Sequence, residues 1–281
     1  TANNHSLDMG VEGVEATLRH LRDAGLITLG TWASPEEAAT PVVCEVRGVR
    51  IGFLNYTQSL NGLVPPPDRP YLVGRLDEEA RVAADLERLR LANVDLVVAY
   101  VHFGTEYRRQ PDEYQRAVAR RLGAAGVDVI LGSHPHVVQP MESWTVVRDG
   151  RECRVFAAYS LGNFVSNQRW RHSDCGIILN LWVEKELPAG PARLVRVAYE
   201  PVWVHRFSGA GGPGYRVLPV REALELAPAE GAPVLTAEDY GRLRQVWEDL
   251  TALLGPPPDP EGAGDKVPGW PLPGREGLDL L

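Results

Sequence analysis

Apolar residues recur at helical spacing from Val11 through Val14 and Leu18 to Leu21, and Gly25 supplies a stop, so residues 11–25 are predicted to form an amphipathic helix. A short strand is expected over 26–29. Ser34-Pro35-Glu36-Glu37 then sets a capping hydroxyl, a proline at the first helical position and two acids in the first turn, the signature of a brief second helix. Runs rich in Val, Ile and Phe at 41–47 and 49–57 flank Arg47-Gly48 and predict a β-hairpin. Pro65-Pro66-Pro67 and Pro70 make residues 61–75 an irregular loop.

Two helix–strand units follow, 77–92 before a strand at 95–101 and 111–125 before a strand at 127–131. Both strands are nearly continuous apolar runs, as burial on two faces requires. A hairpin turning at Asp149-Gly150 leads into a strand at 155–159, and two more strands are expected over 175–185 and 192–204. The order is mixed α/β with an antiparallel addition late in the chain. Past Phe207 the pattern changes: 208–214 is Gly-rich, 237–254 is an amphipathic helix, and the Pro/Gly-rich stretch from Gly255 has too little apolar surface to order firmly. The expected division is a domain over 1–207 and a C-terminal extension over 208–281.

Composition narrows the class. The 281 residues, 44% hydrophobic and 23% charged, suffice for one domain with a large core. The formal net charge of −8 leaves no basic footprint, so nucleic acid is not an expected partner. No apolar run reaches the ~18 residues of a spanning helix, and no signal-peptide pattern opens the chain. The chain starts at Thr1 on residues that read as the interior of a domain, so an upstream segment able to carry a signal or anchor is expected. Cys44, Cys153 and Cys175 have neither metal-knuckle nor disulfide spacing, and are expected to be buried, inert thiols.

Three of the expected strands end in polar clusters: His102-Phe-Gly-Thr-Glu106-Tyr107, Gly132-Ser133-His134-Pro135-His136 and Ser160-Leu-Gly-Asn163. Ligands of open α/β sheets bind beyond the carboxyl ends of strands, so these clusters should meet. Pro135 favours extended geometry at His134, and two histidines two apart on an extended segment project to one side, where they can share a metal. His102 joins them from the neighbouring strand. Glu106 is a candidate base or a carboxylate that orients an imidazole. Asn3, Asn4, His5 and Asp8 precede the first helix, where Asp8 is placed to cap it. Ser160 lacks the Gly-x-Ser-x-Gly elbow of serine hydrolases, and with Asn163 is expected to line the pocket or brace the ligands. His20, His172 and His205 are expected to be structural or solvated.

Four ordered blocks, Ala2-Asn3-Asn4-His5-Ser6-Leu7-Asp8, Val101-His102-Phe103-Gly104-x-Glu106-Tyr107, Gly132-Ser133-His134-Pro135-His136-Val137-Val138-Gln139-Pro140 and Tyr159-Ser160-Leu161-Gly162-Asn163-Phe164, resemble the CapA family of bacterial capsule and poly-γ-glutamate synthesis proteins. The likeness spans residues 1–205. That family is related to the calcineurin-like metallophosphoesterases, so the resemblance implies a four-layer α/β/β/α sandwich with mixed sheets, here N-terminally incomplete. It implies Asn4, His102, His134 and His136 as metal ligands and His5 as general acid, with Glu106 in a catalytic role. Asn3, Ser133, Ser160 and Asn163 would stand around them. Two divalent ions, of Mn, Zn, Fe or Mg, would polarise an oxygen centre and lower the pKa of a bridging water.

The implied setting is the cell envelope, outside the cytoplasm. There the protein would hydrolyse a phosphoester or a γ-glutamyl amide in capsule or poly-γ-glutamate synthesis, release or degradation. Its partners would be an anionic polymer or phosphoester and the membrane subunits of a capsule synthase. Two other readings are a non-catalytic assembly factor that binds the synthase or polymer, and a metallophosphatase of small envelope substrates. Two features depart from the family pattern. The Gly-Asp strand and Asn-Leu-Glu block, which supply the bridging carboxylate, have no counterpart here, and Phe103 replaces the usual Trp.

Overall fold

The computed structural model describes residues 1–186, 190–209, 212–225 and 234–257. Helix α1 (Gly10–Asp23) and the short α2 (Pro35–Ala39) come first, and Ser34 Oγ caps α2 by accepting from the Glu37 N–H at 3.2 Å. The hairpin β1 (Val42–Val46) and β2 (Val49–Thr57) turns at Arg47-Gly48, both with positive φ. Next come α3 (Glu79–Leu91), β3 (Leu96–His102), α4 (Glu113–Ala125) and β4 (Val129–Ser133), and then the hairpin β5 (Met141–Arg148) and β6 (Arg151–Ala158). These six strands form one sheet in the order β1-β2-β3-β4-β6-β5, with β2, β3, β4 and β6 parallel to their neighbours in that run. A second, antiparallel sheet contains β7 (Cys175–Lys185), β8 (Ala192–Gly209) and β9 (Gly212–Pro219), followed by α5 (Val220–Glu225) and α6 (Ala237–Leu254).

The alternation of strand residues decides what each face meets. Tyr56, Ala99, Val101, Ile130 and Tyr159 point to one side of the six-stranded sheet, where Leu89 of α3 and Val118 and Leu122 of α4 cover them. Leu96, Val98, Val129 and Phe156 point to the other, against Leu194 and Val197 of the second sheet. Leu243, Val246 and Leu250 of α6 pack with Tyr199, Trp203 and Val220. Each large side chain so buried contributes about 1.5–3 kcal/mol of transfer free energy. Helices α3 and α4, two stacked mixed and antiparallel sheets, and the α5–α6 pair against β8 give the α/β/β/α order of elements expected. A separate cluster of Leu7, Val14 and Leu18 with Leu60 and Leu72 docks α1 on the proline-rich loop, which brings Asn4 beside Asn61.

Several local expectations fail. Residues 26–29 form no strand: Leu26 and Ile27 are exposed, and the Leu29 carbonyl accepts from Thr1. Asp8 does not cap α1; Met9 holds that position without a side-chain bond. The Gly-rich stretch after Phe207 includes strand residues, because β8 continues to Gly209 and pairs with β9. Helix α5 was not foreseen. Cys175 is buried, and burial pushes its thiol up to about 12, but Cys44 and Cys153 are half-exposed. The tail beyond 257 lies outside the described residues.

Candidate metal centre

Strands β3, β4 and β6 run parallel side by side, so their carboxyl ends come out together, and His102 is in register with Ser133. His102 forms the hub of the site. Its Nε2 lies 2.9 Å from Asn4 Oδ1 and its Nδ1 2.9 Å from Ser133 Oγ. The His102 and His134 rings are 4.8 Å apart between centroids, and those of His134 and His136 are 6.4 Å apart. The three strand-end clusters do meet.

They do so by a route the sequence did not suggest. His134 has φ 101° and His136 φ 60°, so the His134-Pro135-His136 segment is not extended, as the proline had implied. A non-glycine residue held there costs about 1–3 kcal/mol. Neighbouring backbone bonds hold the turn: Tyr107 N–H donates to the Pro135 carbonyl at 2.8 Å, and Phe103 N–H to the Ser133 carbonyl at 3.0 Å. The rings come together through a tight turn, not through strand alternation.

Hydrogen bonds fix the orientation of two members. The Asn163 Nδ2 donates to the Ser173 carbonyl at 2.7 Å, so its Oδ1 must face His136 Nδ1, 3.0 Å away. In its neutral form His136 therefore carries its proton on Nδ1, which leaves the lone pair on Nε2; Glu106 Oε1 stands 3.9 Å from that nitrogen, beyond hydrogen-bond reach. Likewise Asn4 Nδ2 donates to Asn61 Oδ1 at 3.2 Å, which turns Asn4 Oδ1 toward His102. Asn4 itself is buried.

The remaining expected residues have more local partners. His5 is exposed, and its Nδ1 lies 2.7 Å from Asp8 Oδ2, which leaves Nε2 directed elsewhere. Asn3 Oδ1 accepts from the His5 N–H at 2.8 Å and shapes that turn. Ser160 is buried, and its hydroxyl accepts from the Gly162 N–H at 3.3 Å. His20 is exposed, His172 pairs with Asp249, and His205 with Asp239 and Arg216.

Four contributors were not singled out from the sequence as site residues. Asn61 links Asn4 and the neighbourhood of His5, and its Asn-Gly turn within a proline-rich loop was the only available signal. Tyr107 stacks on His136 with centroids 6.0 Å apart. Gln115 and Gln139, fully buried, bond to each other at 2.8 Å, and Gln139 also donates to the Arg108 carbonyl at 2.8 Å. That pair ties the Glu106-bearing loop to the segment after His136.

Burial, together with the neighbouring His134, His136 and His5, brings the His102 pKa from 6.5 down to about 3, and burial also lowers that of His134. At neutral pH both rings are therefore uncharged, the state from which an imidazole binds a divalent cation. The buried His134 Nδ1 has no hydrogen-bond partner. Such an orphan is rare in a folded protein, and with three imidazoles and a carboxamide oxygen the donor set suits a borderline cation such as Zn or Mn. Among the described residues, no group of three or more His, Cys, Asp or Glu side chains is by itself placed to hold a metal ion, so a site here needs Asn4 Oδ1 or movement of the rings.

The His102 shift has a consequence for stability. The unfolded ring protonates near 6.5 and the folded one near 3, so between these values the unfolded chain binds more protons and stability falls as pH falls. Thermal melts of metal-free protein are expected to drop across this window, and less steeply for His102→Gln. Equal slopes in the two proteins would show that His102 does not contribute.

Fold and site together define an α/β sandwich protein with a cluster of imidazoles and a carboxamide at the carboxyl ends of its parallel strands. The model of the bacterial capsule synthesis protein family PGA_cap matches residues 1–168, and the chain belongs to that family. It is 32% identical over 189 residues to the PGA biosynthesis protein CapA of Bacillus subtilis, a match covering 66% of this chain and 46% of that protein. It is 33% identical over 180 residues to the capsule biosynthesis protein CapA of Bacillus anthracis, covering 63% and 42% respectively. The chain thus spans less than half the length of these curated relatives. Among solved structures, the sulfate thiohydrolase SoxB of Thermus thermophilus aligns over 76% of this chain and 28% of its own, at 20% identity and a TM-score of 0.34. That likeness is loose, and the fold description rests on the layers given above.

Proposed function

We propose that this chain is a divalent-metal-dependent hydrolase domain acting in capsule or poly-γ-glutamate assembly, release or degradation at the cell envelope. The observation that carries the reading is that the His102, His134 and His136 rings lie together, with Asn4 Oδ1 on His102 and an unpartnered buried nitrogen on His134. A divalent cation held by these residues would supply Lewis-acid polarisation of a substrate oxygen and acidify water. Ser133 and Asn163 orient His102 and His136 through their second ring nitrogens, an arrangement that raises ligand basicity. His5, with Asp8 on Nδ1, is set to hand a proton from Nε2 to a leaving group. Glu106, beside His136 and partly exposed, would orient that ring or take up a proton.

The substrate would be an anionic polymer or a phosphoester, and synthase subunits at the membrane are the proposed partners. The names of the Bacillus relatives support the polymer and the envelope setting. Among the described residues, no helix is long and apolar enough to cross a membrane. A second reading, a non-catalytic assembly factor, is favoured by a relative in Mycobacterium tuberculosis named a probable polyglutamine synthesis accessory protein.

The test compares wild type with His134→Ala and His136→Ala for bound Mn and Zn, and for hydrolysis of a phosphodiester and of poly-γ-glutamate. Metal content is expected to fall at least about tenfold, and activity with it. Unchanged metal and activity in both variants would remove the site. Wild type that binds metal but cleaves neither polymer nor ester would favour the assembly factor, and phosphodiester cleavage alone a phosphatase.

A further inference from the structure

Helix α6 lies beyond the residues that match the family model, yet it holds both loops that flank His136. Its Asp249 accepts from Arg171 Nη2 at 2.8 Å through Oδ1 and stands 3.2 Å from His172 Nδ1 through Oδ2. About two turns earlier on the same face, Arg242 Nε donates to Asp174 Oδ2 at 2.9 Å, and Trp203 Nε1 donates to the same oxygen at 3.0 Å. Asp174 is buried, and these donors satisfy both of its carboxylate oxygens. Residues 172 and 174 are thereby fixed on either side of Ser173, whose carbonyl receives the Asn163 Nδ2. Asn163 in turn sets the ring of His136.

A second line leaves the helix through its backbone. Arg109 Nη2 donates to the Asp249 carbonyl at 2.8 Å. Arg109 belongs to the loop that carries Glu106 and Tyr107, and Tyr107 both stacks on His136 and bonds the Pro135 carbonyl. The two lines start on α6 around Asp249 and Arg242 and end on the same imidazole.

We infer that Asp249 and Arg242 are positioning residues for His136, and that α6 is the strap that holds its Nδ1 against Asn163 Oδ1 and its Nε2 free for a ligand. The inference rests on the proposed metal centre for the ligand alone; the ring geometry stands without it. Substitutions on α6, in a part of the chain the family model does not reach, therefore act on the site from outside it.

The experiment uses the full chain, with Asp249→Ala and Arg242→Met, and the milder Asp249→Asn and Arg242→Lys. Two quantities are read: the 15N shifts of the His136 ring in metal-free protein, which report the tautomer, and the Mn affinity by calorimetry. The first pair is expected to lose the Nδ1–H preference and to bind Mn about tenfold more weakly, and the milder pair to retain more of both. Folded variants with the wild-type tautomer and wild-type affinity overturn the inference. If Asp249→Ala or Arg242→Met does not fold, the milder pair decides by the same readings. If wild type binds no Mn, the metal-centre reading fails on its own, and the tautomer alone decides the role of α6.

Discussion

Gly132→Ala is expected to lower the unfolding free energy by about 3 kcal/mol or more, the upper end of the cost of overpacking. A Cβ at this position would lie 1.9 Å from the Tyr159 carbonyl oxygen and 2.5 Å from its carbon, with Phe103 Cε1 at 2.9 Å. Neither Tyr159 atom belongs to a flexible side chain. The extra methyl can be accommodated only if β4 moves from the chain that follows β6, where Leu161 N–H donates to the Gly132 carbonyl at 3.1 Å. Ser133 and His134 directly follow Gly132, so the displacement would reach the site as well. Urea titration gives the stability and calorimetry with Mn the affinity. A loss below about 1 kcal/mol would mean the two segments separate easily, contrary to the tight approach described.

His102→Ala is expected to weaken Mn or Zn binding more than about 100-fold, beyond what loss of an orienting residue causes. His102 carries a lone pair of its own, and it also fixes Asn4 and Ser133. Removing the ring takes away one donor and frees a second. The effect on stability should be far smaller, about 1–2 kcal/mol, because two part-buried hydrogen bonds are lost while an imidazole no longer has to be desolvated. Equilibrium dialysis beside thermal melts separates the two quantities. A large fall in stability with intact affinity would make His102 a structural residue and the cluster something other than a metal centre.

Most of the architecture could be read from the residue pattern, since period and punctuation agree along most of the chain. The Arg47-Gly48 and Asp149-Gly150 turns, the two helix–strand units and the helix at 237–254 all rest on signals a few residues long, and the structure forms each of them. Long-range pairing was harder to read. A run such as Leu26–Leu29 has strand-like composition, but it joins no ladder, and the Leu29 carbonyl accepts from Thr1 instead. The reverse holds for β9, where glycines hide a strand that its pairing with β8 stabilises.

The strand-end rule brought the three clusters together correctly, because it depends on topology alone. The conformation of His134-Pro135-His136 did not follow from its sequence, since the bonds to Tyr107 and Phe103 override the local preference of a residue before proline. Asn61 and the Gln115–Gln139 pair act across 57 and 24 residues of chain, and no local pattern marks such contacts.

The left-handed backbone at His136 also narrows how this site can be altered. At φ 60° the chain tolerates Asn, Asp and Gly more readily than other side chains, and β-branched residues least. A library meant to retune cation preference would therefore find Asp or Asn accessible in one step. Cys or Glu, the choices that ligand softness or added charge would recommend, would first have to overcome the backbone. Drift at this position is thus channelled toward hard oxygen donors.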